Sequence, residues 1–206
     1  MFYDHVLASL LANNKQWAAD VQKAEPGFFE QCTKGQAPKV LWIGCADSRV
    51  PESVVTASRP GDIFVHRNIA NQIHPDDDSA LAVLTYAVEH LGVTHVVIVG
   101  HTQCGGAAAC HAAAQSPPSP SAPDTPLGRW LAPLTDLARE GKMGPEELVE
   151  ANVRAQVRNV VETAVMQGAW EKGRDVWVHG WVYEIEKGEL RDLGVSVGRG
   201  DGEVVV

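Results

Sequence analysis

Apolar residues recur at helical spacing near the start of the chain, at Val6, Leu7, Leu10, Leu11, Trp17, Ala18 and Val21, which predicts an amphipathic helix over 3–23. The pattern then changes period. Val40-Leu41-Trp42-Ile43 and Val96-Val97-Ile98-Val99 are short continuous apolar runs, the signature of strands buried on both faces, so 39–44 and 95–100 are predicted strands. Asp62 to Val65 is another. It follows Arg59-Pro60-Gly61, a turn signal closing a short helix over 53–58. Asp76-Asp77-Asp78-Ser79 puts acidic caps at the head of a helix running from Ala80 to Leu91 and stopping at Gly92. Gly105 to Ala114 reads as helix. A longer helix starts at Pro145, carries Val149, Val153, Val157, Val160, Val161, Ala164 and Val165 on its apolar face, and ends at Gly168. Val176 to Ile185 is a strand, turned at Lys187-Gly188 into a hairpin with 189–194.

Strands alternating with helices predict an α/β fold with a largely parallel central sheet flanked by helices, preceded by an N-terminal helical arm over 1–25. Gln115 to Pro126 holds five prolines and reads as an exposed loop. The chain after that loop is too short to rival the core before it, so one domain over 1–206 is expected.

Composition narrows the function. A formal charge of −9 with no Lys/Arg cluster argues against nucleic acid, whose phosphates need a basic patch. No apolar stretch approaches the roughly 20 residues of a membrane span. The N-terminus shows neither a secretory nor a transit pattern, so a cytoplasmic location is expected. In such a chain, cysteines serve metal binding or catalysis more often than disulfides. Cys32 and Cys110 lack flanking ligands and are expected to be buried or half-buried free thiols.

The candidate chemistry lies in two motifs, each directly after a predicted strand: Cys45-Ala-Asp47-Ser-Arg49 and His101-Thr-Gln-Cys104-Gly105-Gly106. They are more than fifty residues apart, so the fold must assemble the site. In parallel α/β sheets, ligands bind beyond the carboxyl ends of the strands, which is where both motifs fall. Two thiols, an imidazole and a carboxylate suit zinc. Cys104 also stands at the mouth of a predicted helix, where the field favours the thiolate that zinc needs.

At these residues the chain resembles the β-class carbonic anhydrases, in particular the bacterial-type branch. The resemblance runs from Pro38 to about Ala107 through Trp42-Ile43-Gly44-Cys45-Ala46-Asp47-Ser48-Arg49-Val50, Pro60-Gly61-Asp62, Arg67-Asn68-Ile69-Ala70-Asn71 and Gly100 to Gly106. It includes Gly35-Gln36 and returns at Val178-His179-Gly180-Trp181-Val182-Tyr183. Each block alone is weak; together and in order they are specific.

The resemblance implies Zn2+ on Cys45, His101 and Cys104, with Asp47 as a fourth ligand when it swings onto the metal. It implies reversible hydration of CO2 to bicarbonate and a proton, by attack of zinc-bound hydroxide. Asp47 and Arg49 are the implied catalytic pair: paired with Arg49, Asp47 leaves zinc open to water. Gln36, Gly105 and Gly106 are the implied donors to substrate oxygens, and Phe64, Ile69 and Tyr86 line an apolar CO2 pocket, partly from a neighbouring subunit. The last three suit a plain core role equally well. Trp42, Arg67 and Tyr183 match a second, non-catalytic bicarbonate pocket, although core packing also explains the two aromatics. The implied assembly is a homodimer or a higher even oligomer, a tetramer for preference. Two thiolates and a neutral imidazole leave Zn2+ with no net charge, so water is acidified less than by a three-histidine site, and activity should rise toward alkaline pH. Two other readings stay open: hydrolysis of a CO2 analogue on the same scaffold, and a non-catalytic zinc protein. The remaining histidines, His5, His66, His74, His90, His95, His111 and His179, are candidates for proton transfer with nothing to select one.

Overall fold

A computed structural model gives the fold, and the residues described are 5–117 and 124–200. Residues 118–123, half of the proline-rich loop, lie outside them. The chain divides into two compact units, Met1–Gln36 and Ala37–Val206. The N-terminal unit continues past the expected end of the arm at 25. Its first helix, α1 (His5–Ala24), is followed by the short α2 (Phe28–Cys32) after Gly27, whose φ of 91° makes the turn. The Trp17 and Phe29 rings meet edge to face at 5.7 Å between centroids, joining the two helices. Cys32 is exposed, against the expectation of a shielded thiol. No residue of α1 is buried; Val6, Leu7, Leu10, Leu11 and Trp17 are 44–63% exposed.

The larger unit is built on a five-stranded sheet of order β2-β1-β3-β4-β5, with β1 (Val40–Cys45), β2 (Ile63–Asn68), β3 (His95–His101), β4 (Trp177–Glu184) and β5 (Glu189–Val197). The first four are parallel and only β5 runs antiparallel, across the Lys187-Gly188 turn. The expected α/β architecture is therefore present. β1 and β3 lie at the centre, which is why their sequences read as unbroken apolar runs: both faces are covered. No helix among the described residues is long and apolar enough to cross a membrane.

The connecting helices are α3 (Glu52–Val55), α4 (Asp78–Thr85), α5 (Gly105–Ala114), α6 (Pro126–Gly141), α7 (Pro145–Val161) and α8 (Ala164–Glu171). Three features depart from the sequence reading. The helix expected over 80–91 changes pitch at Tyr86 and finishes as a π-helical turn, Tyr86–Leu91, before left-handed Gly92. The helix expected from Pro145 to Gly168 is two, because the Thr163 side chain accepts a hydrogen bond from Met166 N–H and caps α8 afresh. α6 was not anticipated: a proline opens it, Pro133 lies inside it, and its buried residues are only Leu131, Leu134 and Ala138.

α7 packs directly on the sheet through Val149, Val153 and Val157, and glycines let it approach. A Cβ at Gly100 would lie 2.7 Å from Val153 Cγ2 and 3.3 Å from Val149 Cγ1. Gly100→Ala is thus expected to lower stability by about 1–3 kcal/mol through overpacking, read as a lower urea midpoint with unchanged slope.

Candidate metal centre

Cys45 ends β1 and His101 ends β3. These strands are parallel neighbours, with Gly44 level with Val99, so they deliver both side chains to one edge of the sheet. Three residues further on, Cys104 is the N-cap of α5. All three are buried, and their ligand atoms lie within 4.8 Å of one another.

The electrostatics prepare this group for a cation. Against the opposing effect of burial, the neighbouring Cys104 thiol, then the nearby His101 ring and backbone N–H groups, pull the Cys45 thiol well below its usual range. The same contact with Cys45, together with burial, pushes Cys104 up. His101 Nδ1 donates to the Thr102 carbonyl at 2.8 Å, which leaves Nε2 as the basic nitrogen. That nitrogen is buried and has no hydrogen-bond partner. A thiolate, a second thiol and an orphaned imidazole lone pair in one buried cluster fit a tetrahedral metal of zinc type.

The residues behind the ligands are themselves fixed. Thr102 N–H donates to Tyr183 O at 3.0 Å, its hydroxyl donates to Glu186 at 2.6 Å, and Ile185 N–H donates to that hydroxyl at 2.9 Å. Sequence reasoning missed Thr102, although its place inside the His-x-x-Cys spacing is the signal that would have found it.

Asp47 stands outside the three-ligand group, its carboxylate forked onto Arg49. Nε donates to Oδ1 at 3.0 Å and Nη2 to Oδ2 at 2.7 Å, and the Arg49 N–H adds a third bond at 2.9 Å. Arg49 holds the carboxyl well below the usual carboxylate range. Asp47 Oδ2 is 3.8 Å from His101 Nε2, beyond hydrogen-bond reach yet at the mouth of the cluster. Arg49 Nη2 also donates to the carbonyl of Gln103 at 3.2 Å, tying the two motifs together.

The other expected site residues fall into three sets. Phe64 and Tyr86 stack at 5.8 Å between centroids, and Tyr86 is 48% exposed because the π-helical turn presents it outward. Ile69 is 43% exposed and lies beside the first turn of α5: a Cβ at Gly106 would come within 3.3 Å of its Cγ2 and 3.0 Å of Ala70 Cβ. Gly105, by contrast, has open space where a Cβ would be. Strand register puts Trp42, Arg67 and Tyr183 on one face of the sheet, on β1, β2 and β4. Trp42 is buried with its indole laid over Gly44, and Tyr183 is buried as well. Arg67 is already engaged: Nε donates to Cys45 O at 2.9 Å, Nη2 to Asp47 O at 2.6 Å, and Nη1 is 3.8 Å from Glu52. It braces the loop that carries Cys45 and Asp47. Gln36 belongs to the N-terminal unit.

A mostly parallel sheet with a buried Cys-His-Cys group suited to a metal at its strand ends is an α/β arrangement of a recognisable class. Comparison with known proteins identifies the family. Residues 40–190 match the sequence profile of the carbonic anhydrases. The carbonic anhydrase of Emericella nidulans is 38% identical over 200 residues, covering 91% of this chain and 83% of that one. The enzyme of Pseudomonas aeruginosa is 34% identical over 186 residues, 84% and 81% of the two chains. Among solved structures, one of two tetrameric β-carbonic anhydrases of Sordaria macrospora superposes with a TM-score of 0.83 at 35% identity, covering 94% of this chain and all of that one. A β-carbonic anhydrase of Aspergillus fumigatus gives 0.80 at 40% identity, covering 91% and 90%. The chain belongs to the β-class carbonic anhydrase family.

Proposed function

We propose that this protein hydrates carbon dioxide reversibly to bicarbonate and a proton, with zinc held by Cys45, His101 and Cys104. The observation that carries the reading is the buried, unpartnered His101 Nε2 at the end of β3, grouped with Cys45 at the end of the adjacent parallel strand and Cys104 at the mouth of α5. When bound, zinc lowers the pKa of the attacking water.

The chain's own residues do the rest. The Arg49 fork holds the Asp47 carboxylate away from Cys45, His101 and Cys104, so a metal held by those three would keep a position for water. From its place 3.8 Å from His101 Nε2, Asp47 would accept a hydrogen bond from that water and orient it. Gly105, at the N-terminus of α5, has open space where a Cβ would be, which gives a bicarbonate oxygen room to approach the helix N-terminus. Phe64, Tyr86 and Ile69 offer an apolar approach for CO2, and Gln36 is proposed as a donor to substrate oxygen on the strength of its match to the family pattern. The exposed apolar stripe of α1 and the tetrameric Sordaria relative support a homodimer or higher even oligomer here; light scattering that found an active monomer would contradict it.

Stopped-flow CO2 hydration by zinc-loaded protein across pH tests the function. Hydration rising toward alkaline pH is expected, and a rate no greater than buffer alone would refute it. The same assay addresses the regulatory site of the bacterial-type branch. Trp42, Arg67 and Tyr183 share a face, which supports a bicarbonate pocket, but Arg67 would have to release a backbone carbonyl or Glu52 to take an anion. Relief of bicarbonate inhibition in Tyr183→Phe supports the pocket; wild-type behaviour makes these three residues packing and bracing groups.

A further inference from the structure

The segment directly after β2 is the least regular part of the site and the most heavily hydrogen-bonded. Ala70 and Asn71 take φ values of 60° and 47°, two consecutive non-glycine residues in the left-handed region. Both are buried. A single 3-10 turn, Ile69–Asn71, is broken by the left-handed Ala70, and side chains support the backbone there. Trp130 Nε1 donates to Ile69 O at 2.9 Å. Gln72 Nε2 and Asn152 Nδ2 both donate to Ala70 O, at 2.7 and 2.9 Å. Asn68 takes Gln72 N–H on its Oδ1 and donates to Gln72 O, both at 2.7 Å. Gln156 Oε1 accepts Ile73 N–H at 2.8 Å, and Asn159 Nδ2 donates to Ile73 O at 2.9 Å. The amides also bond to one another: Gln72 to Asn152 at 2.6 Å and Gln156 to Asn152 at 3.0 Å. Asn152 and Gln156 lie one turn apart on α7, in the middle of a helix face that otherwise buries valines.

This cluster touches the metal centre at one residue. Ala70 Cβ fills the space over Gly106, in the first turn of the helix that Cys104 caps. The turn that holds Ala70 packs against both β1, which ends at Cys45, and α5, which Cys104 caps. The conformation of Ala70 is one an alanine does not hold unaided, and its carbonyl is clamped by two buried amides. We propose that the buried amides Gln72, Asn152 and Gln156, with Asn68 and Asn159 at their edges, are positioning residues for the metal centre. They hold Ala70 left-handed so that its methyl sets the distance to α5, the helix that Cys104 caps. Buried polar groups in a core are costly unless fully paired, and here every pairing converges on this one segment. Outer-shell partners of this kind fix a ligand's orientation and charge.

The inference rests on the metal-binding reading proposed above, and the test separates the two. Asn152→Leu, Gln156→Met and Asn159→Ala would be compared with wild type and with Val153→Ala, which opens a cavity on the same helix without touching an amide. Zinc release to a chromophoric chelator and the thiolate-to-metal band of the cobalt-substituted protein are the readouts, with circular dichroism and thermal unfolding alongside. Zinc affinity is expected to fall about 10- to 100-fold in Asn152→Leu and Gln156→Met, with a shifted cobalt band. Val153→Ala should melt earlier yet keep wild-type zinc release and spectrum. Asn159 is half-buried and at the outer end, so Asn159→Ala gives a milder effect in a variant that folds even where Asn152→Leu does not. Wild-type metal release and spectrum in the folded amide variants, or an equal loss in Val153→Ala, would overturn the proposal. Failure of wild type itself to bind zinc would instead overturn the metal reading.

Discussion

Cys104→Ser is expected to purify without zinc and to hydrate CO2 no faster than buffer. The cluster offers three donors and no spare: Asp47 is committed to Arg49, and among the described residues no other group of three ligand side chains comes together. Serine keeps the N-cap geometry of α5 but not the soft donor, and a neutral hydroxyl cannot supply the second negative charge that two thiolates give. The loss should exceed the roughly hundredfold that removal of an outer-shell partner costs. Metal analysis of the purified variant decides it, and full zinc retention would contradict the assignment. His101 Nε2 would then be left buried beside a single thiol, so earlier unfolding is expected as well.

Arg49→Ala should separate metal from activity. Arg49 makes three bonds to Asp47 and one to Gln103 O, and none to a ligand atom. Without the guanidinium, Asp47 loses the partner that keeps it ionised away from the metal and becomes free to take the fourth position. Zinc content should stay near one per chain while hydration falls by about a hundredfold, the scale of loss when a reacting group is misplaced. Asp47→Ala in the same background removes the blocking carboxylate, so the double variant should be no worse than Arg49→Ala alone. Simple additivity of the two losses would show that Arg49 does not act through Asp47.

The metal centre was legible in the sequence because its parts are local. A strand buried on both faces announces itself as an apolar run, and the ligands follow it within a few residues, as Cys45 follows Ile43 and His101 follows Val99. The support behind the ligands was not legible. Asn152, Gln156 and Asn159 look like polar positions of a half-exposed helix, and only the fold shows that two of them are buried against the turn after β2. Ala70 gives no sign of a left-handed backbone, since alanine is the residue least expected there. The division between α7 and α8 hid for a related reason. Thr163 ends one helix and begins the next without a glycine or a proline to mark the break. The resemblance implies an anion site at Arg67, and nothing in the sequence announces that its Nε and Nη2 also donate to the carbonyls of Cys45 and Asp47.

The bolting of Thr102 onto the β4–β5 hairpin makes a distant turn a witness to the metal. The carbonyl that orients His101 belongs to the residue whose hydroxyl accepts Ile185 N–H and grips Glu186. Thr102 cannot shift without loosening that turn, which lies more than eighty residues further along the chain. Deuterium uptake at Ile185 therefore serves as a built-in gauge of occupancy. It should be slow while His101 is ligated and quicken once the metal is withdrawn, with no probe needed at the centre itself.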